Sequence, residues 1–145
     1  MKIGKLKLEN RVLLAPMAGI SDLPYRRLMK QFGAALVYTE MISANGLHYG
    51  GGGTTDLLLS SPDEGPRGVQ IFGSDPEFLA EAARTVAPHG DLIDINMGCP
   101  VKKVIRSGAG SALLQDPQQV AAIIRTVRKA VELPLTVKIR SGWDD

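Results

Sequence analysis

Short apolar runs alternate with longer amphipathic stretches along this chain, the pattern of buried strands followed by helices. KIGKLKLEN alternates lysine with Ile3, Leu6 and Leu8 and predicts a small exposed hairpin. RVLLAP predicts the first buried strand. The next helix can be capped by Ser21 or Asp22, carries Pro24 in its first turn where a missing N–H is harmless, and ends at Gly33. AALVYTE and GVQIFG predict the second and third strands. In SDPE, Ser74 or Asp75 can cap, Pro76 fits the first turn and Glu77 can close a capping box, for a helix to about residue 87. DLIDIN predicts a fourth strand, Asp116-Pro117 opens a helix to about Val131, and LPLTVKIR predicts a fifth strand.

Apolar strands with helices between most of them predict an α/β fold with a parallel sheet. Right-handed crossovers leave two architectures, an open doubly wound sheet or a (β/α) barrel. APMAGISD, after the first strand, lacks the GxGxxG of dinucleotide-binding open sheets, which leans towards the barrel without deciding the matter.

Composition narrows the class. The chain has 145 residues, 44% hydrophobic and 22% charged, which predicts a packed core rather than a disordered or fibrous chain. A net charge of +2 is compatible with an anionic partner and does not demand one. Cys99 is the single cysteine, so neither an internal disulfide nor a CxxC zinc or redox pair is available. No apolar run nears the ~18 residues of a membrane helix. Glu9 and Asn10 interrupt the only stretch that resembles a signal peptide, so a cytoplasmic, membrane-free protein is expected. His48 and His89 are far apart and no metal site is expected, while Gly50 to Gly53 read as a flexible surface loop rather than a phosphate loop.

If the fold is a barrel, its chemistry belongs where strands end. Polar residues recur there: Met17 to Gly19, Thr39-Glu40, Gln70, Asn96 to Cys99, and Lys138 with Arg140. Each alone has an ordinary explanation, a buried thiol, a solvated lysine or a glutamine satisfying the backbone. Together they converge on one mouth. In NMGCPVKKVIRSGAGSALL, Pro100 stiffens the turn that carries Cys99, and Lys102, Lys103 and Arg106 follow. Those cations can lower a thiol pKa, bind phosphate, or simply be a solvated helix start.

LAPMAGISDLPYRRL, the EM of TEM, GVQIFGSDP, DINMGCPVKKV, GAGSALLQDP and VKIRSGW follow one another in an order and spacing similar to that of the tRNA-dihydrouridine synthases, the bacterial B-type enzymes above all. The resemblance runs from about Ile3 to the last residue and weakens in HYGGGGTTDLLLSSP. It implies a (β/α)8 TIM barrel that binds FMN and reduces uridines in tRNA with NADPH. It implies that Pro16, Met17 and Ala18 lie against the flavin, that Gln70 bonds a polar edge of the ring, and that Lys138 sits near N1 and O2. Cys99 matches the catalytic acid, Asn96 the residue orienting the uracil, and Arg140, more loosely, a cation on the flavin or substrate side. An acid must keep its proton, so Lys102, Lys103 and Arg106 are assigned to RNA phosphate rather than to activating the thiol. A small-molecule FMN barrel oxidoreductase of the dihydroorotate-dehydrogenase type shares the barrel and the lysine but does not predict NMGCP followed by cations.

A complete barrel takes roughly 200–250 residues, whereas this chain supplies about five strands. Residues 1–145 are therefore expected to be the N-terminal part of the barrel, truncated to about its first five strands. The remaining strands and a C-terminal helical tRNA-binding domain would lie outside it. The full-length protein is expected to be monomeric. An inactive fragment of the synthase is a further alternative, and the isolated chain is expected to be either unstable or self-associating through unpaired strand edges.

Overall fold

The computed structural model describes residues 1–50 and 56–144, so Gly51 to Gly53 of the expected glycine loop lie outside the described residues. The lysine-alternating N-terminus forms the expected hairpin, β1 (Lys2–Ile3) against β2 (Leu6–Lys7). Asp22 caps α1 (Leu23–Gln31) by accepting from Tyr25 N–H, and Gly33 turns the chain with φ +91°. The RVLLAP segment contributes only one parallel bridge, Leu13 to Leu36, flanked by hydrogen bonds of 2.9 and 2.8 Å. The expected first strand is thus reduced to a brief edge pairing that ends before Pro16.

The second expected strand is interrupted. β3 (Val37–Tyr38) pairs with the start of β5 (Arg67–Phe72), and β4 (Ile42–Ser43) pairs with its end. Tyr38 faces Gly68 and Ile42 faces Ile71, so the first segment takes one residue more than its partner across this stretch. That is the count of a bulge, which breaks the ladder and re-aims a side chain. Thr39 bridges the gap: its hydroxyl oxygen accepts from Gln70 N–H at 3.1 Å, and its own N–H donates to Gly68 O at 3.0 Å. Neither β4 nor the short α2 (Ala44–His48) behind it carries the apolar run that marks the other elements.

Asp75 rather than Ser74 caps α3 (Pro76–Val86), accepting from Glu77 and Phe78 N–H. Glu77 therefore sits one position too early for the expected capping box. β6 (Leu92–Met97), α4 (Lys102–Arg106), α5 (Pro117–Ala130, capped by Asp116) and β7 (Leu135–Ile139) complete the elements.

Every pairing in the main sheet is parallel, and its order follows the chain: the Leu13 bridge, β3 with β4, then β5, β6 and β7. A doubly wound sheet reverses direction at a switch point. This one does not, which is barrel order. Right-handed crossovers then put the helices on one face. There α3 and α5 bury Leu79, Ile123 and Val127 against Val69, Ile71, Ile93 and Ile95. Each such side chain contributes roughly 1.5–3 kcal/mol by leaving water. On the opposite face the hairpin residues Ile3, Leu6 and Leu8 pack with Leu36, Tyr38 and Leu92. This hairpin closes the end of the inner face where the strands start.

An ionic cluster also holds the frame. Glu64, 1% exposed, receives Arg26 Nε at 2.6 Å and Arg67 Nη1 at 2.5 Å. Arg26 also donates to Ser21 O and Leu59 O, so the helix and the segment before β5 are locked together. Removing one partner from such a buried pair strands the other charge, typically at 3–5 kcal/mol.

Candidate active site

Parallel register builds the inner face in rows. Gln70 of β5 pairs with Asp94 of β6, and Asp94 with Thr136 of β7. Two residues on, towards the strand ends, Asn96 pairs with Lys138. Side chains two apart on a strand share a face, so these polar groups turn away from α3 and α5. They form a hydrogen-bonded line. Thr136 Oγ1 donates to Asp94 Oδ1 at 2.6 Å, Gln70 Nε2 to Asp94 Oδ2 at 2.6 Å, and Asn96 Nδ2 to Gln70 Oε1 at 3.0 Å. Burial raises the Asp94 carboxyl above the ordinary carboxylate range, against the opposing pull of Gln70, Thr136 and the Lys138 charge.

The cysteine loop grows from the end of β6. Asn96 Oδ1 accepts from Gly98 N–H at 3.2 Å and from Cys99 N–H at 3.0 Å, and Pro100 follows. Asparagine favours such turns because its side chain can stand in for a backbone acceptor. A Cβ on Gly98 would come within 3.1 Å of the Ile139 carbonyl carbon, so glycine lets the loop lie against the end of β7. From the other side Ser111 N–H donates to Cys99 O at 3.0 Å. Gly110, with φ +62°, passes so close that a Cβ would be 2.6 Å from that same oxygen. The GAGSALL segment is thus the back wall of the cysteine loop.

These pieces enclose a cleft of about 240 Å³ lined by Pro16, Ala18, Gln70, Asn96, Cys99 and Lys138, together with Met41, Gly98, Pro100 and Val101. Six expected site residues, separated by as much as the span from 16 to 138, come to one place. An adjoining cleft of about 320 Å³ reaches Tyr38, Asp94 and Thr136 and shares Pro16 and Lys138. Met17 does not line the first cleft. Its N–H donates to Ser21 Oγ and its carbonyl accepts from Ile20 and Ser21 N–H, a turn that presents Pro16 and Ala18 instead. Lys102, Lys103 and Arg106 are exposed on α4, outside the cleft, and Arg140 is exposed just beyond β7.

Sequence reasoning gives no site role to Asp94, Thr136 or Met41, and notes Glu40 only as one of the polar residues at strand ends. The polar Asp94 within an apolar strand, two residues before Asn96, was the available signal. Met41 lies 3.9 Å from Asn96 Nδ2 through its sulfur, and Glu40 accepts from Gly19 N–H at 2.5 Å, tying the first loop to the bulge. Among the described residues no three His, Cys, Asp or Glu side chains gather as a metal site would require.

The dihydrouridine synthase (Dus) family model matches residues 13–145. The chain belongs to this family. Among curated dihydrouridine synthases, tRNA-dihydrouridine synthase B of Pseudomonas aeruginosa is 47% identical over 145 residues, covering 99% of this chain and 44% of the relative. The Pasteurella multocida tRNA-dihydrouridine synthase B is 48% identical with the same coverage. The probable tRNA-dihydrouridine synthase 1 of Synechocystis sp. is 44% identical over 100% of this chain and 41% of its own length. The chain thus spans less than half the length of these dihydrouridine synthases. Its sequential parallel strands form a half-barrel, a part of the dihydrouridine synthase barrel. Among the described residues no helix is long and apolar enough to cross a membrane.

Proposed function

We propose that the protein carrying this chain is a cytoplasmic, FMN-dependent enzyme that uses NADPH to reduce the C5–C6 double bond of uridines in tRNA. The observation that carries this reading is the convergence of Cys99, Asn96, Gln70 and Lys138 on one cleft. Its walls suit a flat heterocycle. Pro16, Ala18, Met41 and Val101 offer apolar surface, while Gln70, Asn96 and Lys138 offer amide and ammonium groups for a polar edge. Those residues would hold the flavin ring, which when bound supplies hydride to C6 of the uracil.

The remaining work falls to this chain's own groups. Lys138 brings a positive charge to the cleft, where it would stabilise the negative charge of a reduced ring. Asn96 holds the backbone N–H groups of Gly98 and Cys99, so the thiol sits on a braced turn. From there Cys99 acts as general acid, giving its proton to C5. The α4 cations are exposed and outside the cleft, a placement that suits contact with tRNA phosphates and leaves the thiol free to act as an acid. The target base must leave its stack to reach the cleft. The length of the relatives beyond this chain is assigned to the rest of the barrel and a helical tRNA-binding domain, in a protein that works as a monomer.

The test is NADPH oxidation by the flavin-loaded protein with and without unmodified tRNA. Oxidation that rises with tRNA, and fails to rise with a small unsaturated pyrimidine such as orotate, is the expected result. Equal rates with and without tRNA would contradict the proposal.

A further inference from the structure

The hydrogen-bonded line across the inner face has a direction, and its two ends set it independently. At one end Asn96 meets the backbone N–H groups of Gly98 and Cys99, which can only donate. Asn96 must therefore turn Oδ1 to the loop and Nδ2 to Gln70. Gln70 must then turn Oε1 to Asn96 and Nε2 away from it. At the other end Nε2 meets Asp94 Oδ2 at 2.6 Å, and an acceptor is what this end requires. Asp94, 3% exposed, has its second oxygen held by Thr136. An apolar residue at position 94 would leave the Gln70 amide free to flip. A flip would set Gln70 N–H against Asn96 N–H, and Asn96 could then satisfy Gln70 only by releasing the cysteine turn.

We propose that Asp94 is a positioning residue that fixes the orientation of the Gln70 and Asn96 amides and, through them, the conformation of the Cys99 loop. Asp94 does not line the cleft that holds the thiol, so it acts through Gln70 and Asn96 rather than on the reacting atoms. The proposal concerns the same site as the reductase reading and rests on it for its catalytic meaning. The geometric claim can be read without flavin, NADPH or tRNA.

Cys99 is the only thiol among these 145 residues, and its alkylation by iodoacetamide, followed by mass spectrometry on the peptide that carries it, reports the loop directly. Asp94→Leu, which fills the space but cannot accept, is expected to alkylate about fivefold or more faster than wild type, the scale of losing one net hydrogen bond. Asp94→Asn can turn its oxygen to Gln70 and its NH₂ to Thr136 Oγ1, and is expected to return the rate to within about twofold of wild type. Far-UV circular dichroism checks that the variants fold. If Asp94→Leu does not fold, Thr136→Val replaces it. That variant removes the donor that steadies Asp94 and is expected to speed alkylation about twofold or more.

Wild-type alkylation in folded Asp94→Leu, or in Thr136→Val when that variant stands in, would overturn the proposal. So would Asp94→Asn reacting as fast as Asp94→Leu, because space-filling alone would then account for the position. Failure of the tRNA-dependent assay by the wild-type protein would sink the reductase reading and leave these rates unchanged.

Discussion

The chemistry of individual side chains depends on which strand neighbours they meet. Cys99 and Asn96 were visible in the sequence because Asn-x-Gly-Cys-Pro is local turn chemistry, complete within a few residues. Asp94 was not, because its partners Gln70 and Thr136 are 24 and 42 residues away and reach it only through sheet register. Tyr38 shows the same dependence. Burial, and then the Asp94 charge, push its phenol from 10.0 up to about 12, with the nearby Thr136 hydroxyl pulling the other way. A group whose acid form is favoured in the fold contributes fully below its unfolded pKa and loses that contribution as pH rises past it. Stability from Tyr38 is therefore expected to be intact at neutral pH and to fall as pH climbs from 10 towards 12. Ultraviolet titration should show one phenol ionising near 12 that is missing in Tyr38→Phe. A Tyr38 transition near the ordinary value of 10.0 would count against the buried placement.

Helices and full strands were largely legible, because caps and apolar runs are written locally: Asp22, Asp75 and Asp116 each begin a helix as expected. The irregular elements were not. The bulge between β3 and β4 arises from a mismatch with β5, and no local pattern encodes a mismatch. The first strand is reduced to one bridge, Leu13 to Leu36, at the edge of the sheet. The back wall of the cysteine loop is likewise a matter of packing between elements. At Gly110 a methyl group would stand 2.6 Å from Cys99 O and 2.8 Å from Val104 Cγ1, on a backbone with φ +62°. Gly110→Ala is expected to cost about 1–3 kcal/mol, seen as a lower urea midpoint, and to quicken alkylation of Cys99. An unchanged midpoint would show that the segment gives way without strain.

On the scale of the whole molecule the sheet presents β7 as its last strand, with Val137 38% and Ile139 56% exposed. An exposed apolar edge is a template for pairing with another chain. The 145-residue chain is expected to self-associate, with a sedimentation coefficient that rises with concentration and a smaller rise in Ile139→Lys. A monomer at every concentration would refute this. Barrel order was half legible: the alternation of elements allowed either architecture, and only the observed pairing, with no switch point, distinguishes them.

The proposed reduction of uridine in tRNA, with the Cys99 thiol as the acid, is tested by the dihydrouridine content of tRNA from cells stripped of their own dihydrouridine synthases and supplied with the gene for this protein, wild type or Cys99→Ala. Wild type is expected to restore dihydrouridine, while Cys99→Ala keeps its flavin and lowers dihydrouridine formation by about 10²-fold or more, the usual scale of a lost general acid. Dihydrouridine restored equally by both, or by neither, would contradict it.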